Sequence, residues 1–154
     1  MKKIFLLVVL TLTAFSFNSC SSSSDDTNPV IGGTISFKVD GVQKTFDNIY
    51  VSENVINPGT ADEFTDLGVY SMPQNTSEHI EFFTEKNHME DIVSVFYTAD
   101  GVQWTRLPGV FTVHLTSNGN NNKLVGTFAG QMGDDEIQPQ NFINITEGTF
   151  NIQY

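Results

Sequence analysis

Three sets of side chains in this 154-residue sequence have types and spacings that could do chemistry. The sharpest is the pair Tyr97 and Trp104, placed symmetrically about Asp100-Gly101. Asp-Gly tolerates the two positive φ angles of a type I′ turn. A two-residue loop here therefore sets Ala99 opposite Val102 and Tyr97 opposite Trp104 on one face of a hairpin. If that face is open, the two rings make a platform for a sugar ring or another apolar ligand; if it is closed, they are the aromatic centre of the sheet. The second set is Asp134, Asp135 and Glu136. Calcium takes about six to eight oxygen ligands, so three carboxylates supply only part of a shell. Acids on adjacent rather than alternate positions do not match an EF-hand loop, and a solvated acidic turn is the simpler reading. Asp62, Glu63 and Asp66 are discounted in the same way. The third set is His79, His88 and His114, which lack the short His-x-His or His-x-x-x-His spacings that announce zinc. No metal and no cofactor are expected.

Enzymatic signatures are equally thin. The sequence has no Gly-x-Ser-x-Gly elbow, no phosphate-binding loop and no dinucleotide fingerprint. Among 18 acids, some pair will meet the roughly 5 or 6.5–9.5 Å separation of glycosidase carboxylates by chance. The expectation is a non-enzymatic binding or structural module whose ligand is a glycan, a lipid-like molecule or a partner protein. The alternative is a small glycan-processing or metal-dependent hydrolase.

The elements that must position these residues are strands. Ile35, Phe37 and Val39 alternate with polar neighbours, and Asp40-Gly41 then predicts a first hairpin with Val39 opposite Val42, Phe37 opposite Lys44 and Ile35 opposite Phe46. Lys44 is the one charged side chain on that otherwise apolar face. Phe111, Val113 and Leu115 repeat the two-residue period, as do Leu124, Gly126, Phe128, Gly130 and Met132, and again Phe150, Ile152 and Tyr154. Residues 67–72, 79–84 and 91–98 read as further strands. Glu147-Gly148 is a tight turn or a bulge. Thr60-Ala61-Asp62-Glu63 has capping-box spacing for a short helix from which Phe64 and Leu67 face inward, ended by Gly68; a long polar loop over residues 52–66 is the competing reading. The fold class is therefore all-β, an antiparallel β-sandwich or small barrel of about seven to nine strands with at most one short helix.

The N-terminus carries an address. Lys2 and Lys3 precede an apolar run over residues 4–17, too short for the roughly 20 residues of a membrane span but suited to a signal peptide. Cys20, the only cysteine, stands where such a peptide is cut. Phe17-Asn18-Ser19-Cys20 resembles the lipobox of bacterial lipoproteins: Ser19 is the small residue before the cysteine, while Phe17 and Asn18 depart from the usual leucine and small residue. The resemblance implies that Cys20 is lipidated and starts the mature chain. The tract that follows, with Ser23, Ser24, Asp25 and Asp26, resembles the surface-export signal of Bacteroidota lipoproteins. Lys38-Val39-Asp40-Gly41, Leu124-Val125-Gly126-Thr127-Phe128 and Ile145-Thr146-Glu147-Gly148-Thr149-Phe150 also resemble small uncharacterised lipoproteins of Bacteroidota, which implies fold and outer-membrane location but no activity.

The organisation expected is residues 1–19 as signal peptide, 20–30 as lipidated flexible tether and 31–154 as one β domain. The chain has a net charge of −11; without Lys2 and Lys3 the seven basic residues fall to five against 18 acids, or −13. That excess repels nucleic acid and anionic headgroups. A lipidated Cys20 leaves no thiol for a disulfide, so the domain must be held by apolar packing.

Overall fold

The computed structural model describes residues 32–71, 77–89 and 92–154. They form nine strands: β1 (Gly32–Val39), β2 (Val42–Phe46), β3 (Ile49–Ile56), β4 (Phe64–Ser71), β5 (His79–Glu85), β6 (Ile92–Ala99), β7 (Val102–Asn118), β8 (Lys123–Gly133) and β9 (Phe142–Gln153). All belong to one antiparallel sheet in the order β2-β1-β9-β8-β7-β6-β5-β4-β3, curled into a half-barrel. The curl follows from connectivity. The two edge strands, β2 and β3, are consecutive in the chain and separated only by Asp47 and Asn48. A link that short reaches no more than roughly 11 Å between Phe46 and Ile49, so the two edges of the sheet must come together at that end.

Alternation fills the concave side. Ile35 and Phe37 of β1, Leu67 and Val69 of β4, Ile80 and Phe82 of β5, and Leu124, Phe128 and Met132 of β8 all point into one buried core. Phe37 is the hub, with ring centroids 5.4 Å from Tyr97, 5.5 Å from Phe128 and 5.8 Å from Phe46. Between Ile80, Phe82, Val95, Val113, Phe128 and Phe150 the interior leaves no room for a water molecule. Here, among the described residues, side chains fill the barrel interior and leave no ligand lumen between them.

Both Asp-Gly hairpins form with the expected register: Phe37 opposes Lys44, and Tyr97 opposes Trp104. Asp40, Gly41, Asp100 and Gly101 have φ of 47°, 86°, 52° and 78°, the two consecutive positive values of a type I′ turn. Glu147-Gly148 is a bulge. Strand β9 continues through it, two of its residues opposing Phe37 alone, with Glu147 at φ 54°. A Cβ on Gly148 would sit on the carbonyl oxygen and ring of Phe128, so only glycine lets β8 and β9 approach this closely.

Residues 60–63 form no helix, and residues 52–66 are not a loop. The chain runs as strand to Ile56 and again from Phe64, with only residues 57–63 turning between. The capping chemistry is present but serves the turn: Thr60 Oγ1 accepts from the Asp62 amide, and the Glu63 carboxylate accepts from the Gly59 amide. These side-chain bonds satisfy a hairpin as well as a helix end, and the pairing of β3 with β4 decides between them. Leu67 points inward as expected, whereas Phe64 is exposed. Cys20, Ser23, Ser24, Asp25 and Asp26 lie outside the described residues.

Candidate functional site at the mouth of the half-barrel

The two Asp-Gly hairpins open on the same end of the half-barrel. Their inner rings meet there, Phe37 edge-on to Tyr97 with an interplanar angle of 88°. Beyond this contact the strands diverge and leave a cavity of about 520 Å³. Its apolar wall is Val39 and Val42 from the first hairpin, Ala99, Val102 and Trp104 from the second, and Ile143 at the start of β9. Its polar groups are Asp40, Lys44, Glu78, Asp100 and the Tyr97 hydroxyl. Concave, mostly apolar sites with a few convergent polar groups are the usual form of small-molecule pockets, and barrel mouths are one of their preferred places.

Tyr97 and Trp104 are thus brought together, with different exposures. Tyr97 is 2% exposed and belongs to the core, while Trp104 is half-buried, packed on the core from one side and open to the cavity on the other. Burial raises the Tyr97 pKa well above that of a free tyrosine, and the charge of Glu78, the hydrogen bond to it and the charge of Asp100 push in the same direction. Lys44 faces the cavity as the register demands. Its Nζ donates to both oxygens of Glu78, at 2.7 and 2.9 Å. The two side chains are 23% and 29% exposed, so the pair sits at the boundary between core and water.

The turn aspartates differ. Asp40 Oδ1 accepts from the backbone amide and from Nδ2 of Asn144, at 2.9 and 3.1 Å, which fastens the first hairpin to β9. Asp100 has no hydrogen-bond or ionic partner of its carboxylate among the described residues.

Lys44 and Glu78 were not foreseen as a site, but two signals point to the mouth. One is the inward charge of Lys44, a local rule broken on an apolar face; such breaks concentrate at functional positions. The other is a repeat: Asp40-Gly41-Val42-Gln43-Lys44-Thr45 recurs as Asp100-Gly101-Val102-Gln103-Trp104-Thr105. Glu78 is legible in neither, because it arrives from the segment before β5.

The acidic loop does other work. Asp135 Oδ1 accepts from the amides of Ile137 and Gln138, both at 2.8 Å. Asp134 accepts from Asn141 Nδ2 at 2.6 Å, from the Asn141 amide at 3.1 Å and from the Gln140 amide at 2.8 Å. These donors lower the pKa of both aspartates and organise the β8–β9 connection. Glu136 is exposed beside them. Among the described residues no group of three or more His, Cys, Asp or Glu side chains is placed to hold a metal ion. The histidines are scattered: His79 lies 3.4 Å from Glu81, His88 lies 3.5 Å from Glu85, and His114 lines a recess of about 480 Å³ on the outer face with Thr112, Thr127 and Thr149.

A further aromatic feature lies on the outer face. Tyr50, Tyr70, Phe83 and Phe96 run across β3 to β6 with successive centroids 5.8, 5.6 and 6.4 Å apart. These half-buried rings cover one another, as cross-strand pairs that stabilise a sheet do.

Neither protein-family models, nor curated proteins, nor solved structures give a match to this chain. Function must therefore be argued from the side chains of the mouth.

Proposed function

We propose that this chain is a non-enzymatic binding module of the bacterial outer membrane, anchored through lipid on Cys20 and exposed at the cell surface. It takes a small ring-bearing ligand, such as a sugar unit of a glycan, at the mouth of the half-barrel. The observation that carries the binding role is the cavity of about 520 Å³ with half-buried Trp104 on its wall. An amphipathic ring left partly open beside charged groups is the arrangement that stacks on the apolar face of a ligand while its polar edge is hydrogen-bonded. The filled interior favours a compact ligand over a long acyl chain, which would need the lumen that the core side chains occupy. The location rests on the leader, the cysteine and the serine-aspartate tract that follows. Each acyl methylene buried in the membrane contributes about 0.8 kcal/mol to the anchor.

Two experiments test this reading. Trp104 is the only tryptophan, so the emission of the mature protein reports the mouth alone. Quenching by acrylamide that a glycan panel suppresses supports binding there; emission that no panel member changes removes the role. Cys20→Ala is expected to release the protein from the membrane fraction, and a variant that stays membrane-bound would sink the anchor.

A further inference from the structure

The geometry points to a charge requirement at the mouth: its ligand carries an ammonium group on a small ring, the ring lying against Trp104 and the charge beside Asp100. This deepens the binding role proposed above and depends on it.

The inference comes from which charges at the mouth are already answered. Lys44 is the only cation lining the cavity among the described residues, and both carboxylate oxygens of Glu78 hold its ammonium. Glu78 also takes the hydrogen bond of Tyr97. Held by both oxygens of Glu78, the Lys44 ammonium is already answered by a carboxylate when an anion arrives. Two carboxylates remain. Asp40 is hydrogen-bonded to Asn144, which fixes its place without cancelling its charge. Asp100 has no such partner among the described residues and stands close enough to Tyr97 to act on its titration. Lys44 and Glu78 cancel, which leaves the mouth at about −2 within a chain of −11. Val42 and Val102 on the wall are 61% and 39% exposed, so this field acts at a water-accessible mouth and is open to screening by salt.

The two features reinforce each other for one ligand class. An aromatic face attracts a cation within about 6 Å of its centroid, and an unpaired carboxylate beside it adds a charge-assisted hydrogen bond. A neutral ring would gain only the stacking. A carboxylate or phosphate ester would gain the stacking against two unbalanced negative charges.

The test holds shape constant and varies charge. Emission of Trp104 in the mature protein is titrated with glucosamine, glucose and glucuronate, and with cyclohexylamine, cyclohexanol and cyclohexanecarboxylate. The expected order in both series is cation, neutral, anion. The cation should bind about tenfold tighter than the neutral member at low salt, and this preference should shrink at high salt. Asp100→Asn should bring cation and neutral members to within about threefold of each other, read as the ratio of the two affinities in the same variant. Asn tolerates the left-handed φ of 52° at this position, so the turn survives the substitution. Equal affinities, or an anion that binds first, overturn the charge requirement and leave the mouth a binding site. If no member of either series shifts the emission at concentrations up to about 50 mM, the proposal falls. Acrylamide accessibility and the glycan panel then decide separately whether the binding role falls with it.

Discussion

The first and second Asp-Gly hairpins are the same device set at different places in the sheet. Both turn through an aspartate and a glycine with positive φ, both follow with Val-Gln, and both end on threonine. In each, the residue facing the mouth is paired across the strands with a fully buried ring, Lys44 with Phe37 and Trp104 with Tyr97. They differ in that one inner position. The second hairpin lies inside the sheet, with β5 and β8 on either side of it, and places a large ring there. The first hairpin ends on the open edge strand β2, where a lysine reaches past the edge to Glu78. One backbone solution thus gives the mouth its aromatic wall on one side and its closed ion pair on the other.

The largest effects should come from removing the ring that each hairpin has in common. Phe37→Ala and Tyr97→Ala are each expected to lower unfolding free energy by about 3–5 kcal/mol in urea titrations. Because the two rings touch, the double variant should fall short of the sum by roughly 0.5–1.5 kcal/mol. Strict additivity would mean that the hairpins are energetically separate.

Alkaline titration separates the hairpins next. Tyr97 is protonated more tightly in the folded than in the unfolded protein, so the folded state binds the extra proton. Stability is then whole below the unfolded tyrosine pKa of about 10 and declines as pH rises above it. Tyr154, at the far end of the barrel, is pushed up to about 12 by burial and by the charge of Glu53, and adds to the decline over the same range. Denaturation midpoints measured from pH 8 to 11 should therefore fall above about pH 10. The fall should be shallower in Tyr97→Phe, and an unchanged profile in that variant would remove Tyr97 as a source.

The turn aspartates give a smaller contrast. Asp40→Ala and Asp100→Ala lose the same tolerance for positive φ, but only Asp40→Ala also strips two hydrogen bonds from Asn144. It should be the more destabilising by about 0.5–1.5 kcal/mol. Smallest of all is Lys44→Met. A partly exposed ion pair contributes little net stability, so a change within about 1 kcal/mol is expected. A loss well beyond that would make the pair a structural strut rather than part of a ligand site.

Most of the fold was legible because its signals are local. Asp-Gly between alternating apolar residues determines turn, register and face together, which is why Phe37 opposite Lys44 and Tyr97 opposite Trp104 could be read from the chain. Strand β3 was not read, because only Ile49 and Val51 at its start reach the core and Glu53 to Ile56 run out into solvent. The expected helix at Thr60 failed because the same hydroxyl and carboxylate bonds satisfy a tight turn. The mouth was half legible. Tyr97 and Trp104 were named, but whether their face was open depends on what stands across the barrel. Glu78 is 34 residues from Lys44, and no pattern within a strand brings the two together.

Strand β1 lies between β2 and β9, with Gly32 opposite Gln153. The first strand of the chain thus waits for β9, the last, to supply its second neighbour. Pairings this distant carry a heavy loop-closure penalty and make for slow folding, on the scale of milliseconds to seconds for all-β domains. Synthesis at about 5–20 residues per second would deliver most of the sheet well before its keystone. Every other pairing joins strands that are consecutive in the chain, so the local hairpins can settle their registers first and the closing of β9 on β1 is the clasp that comes last.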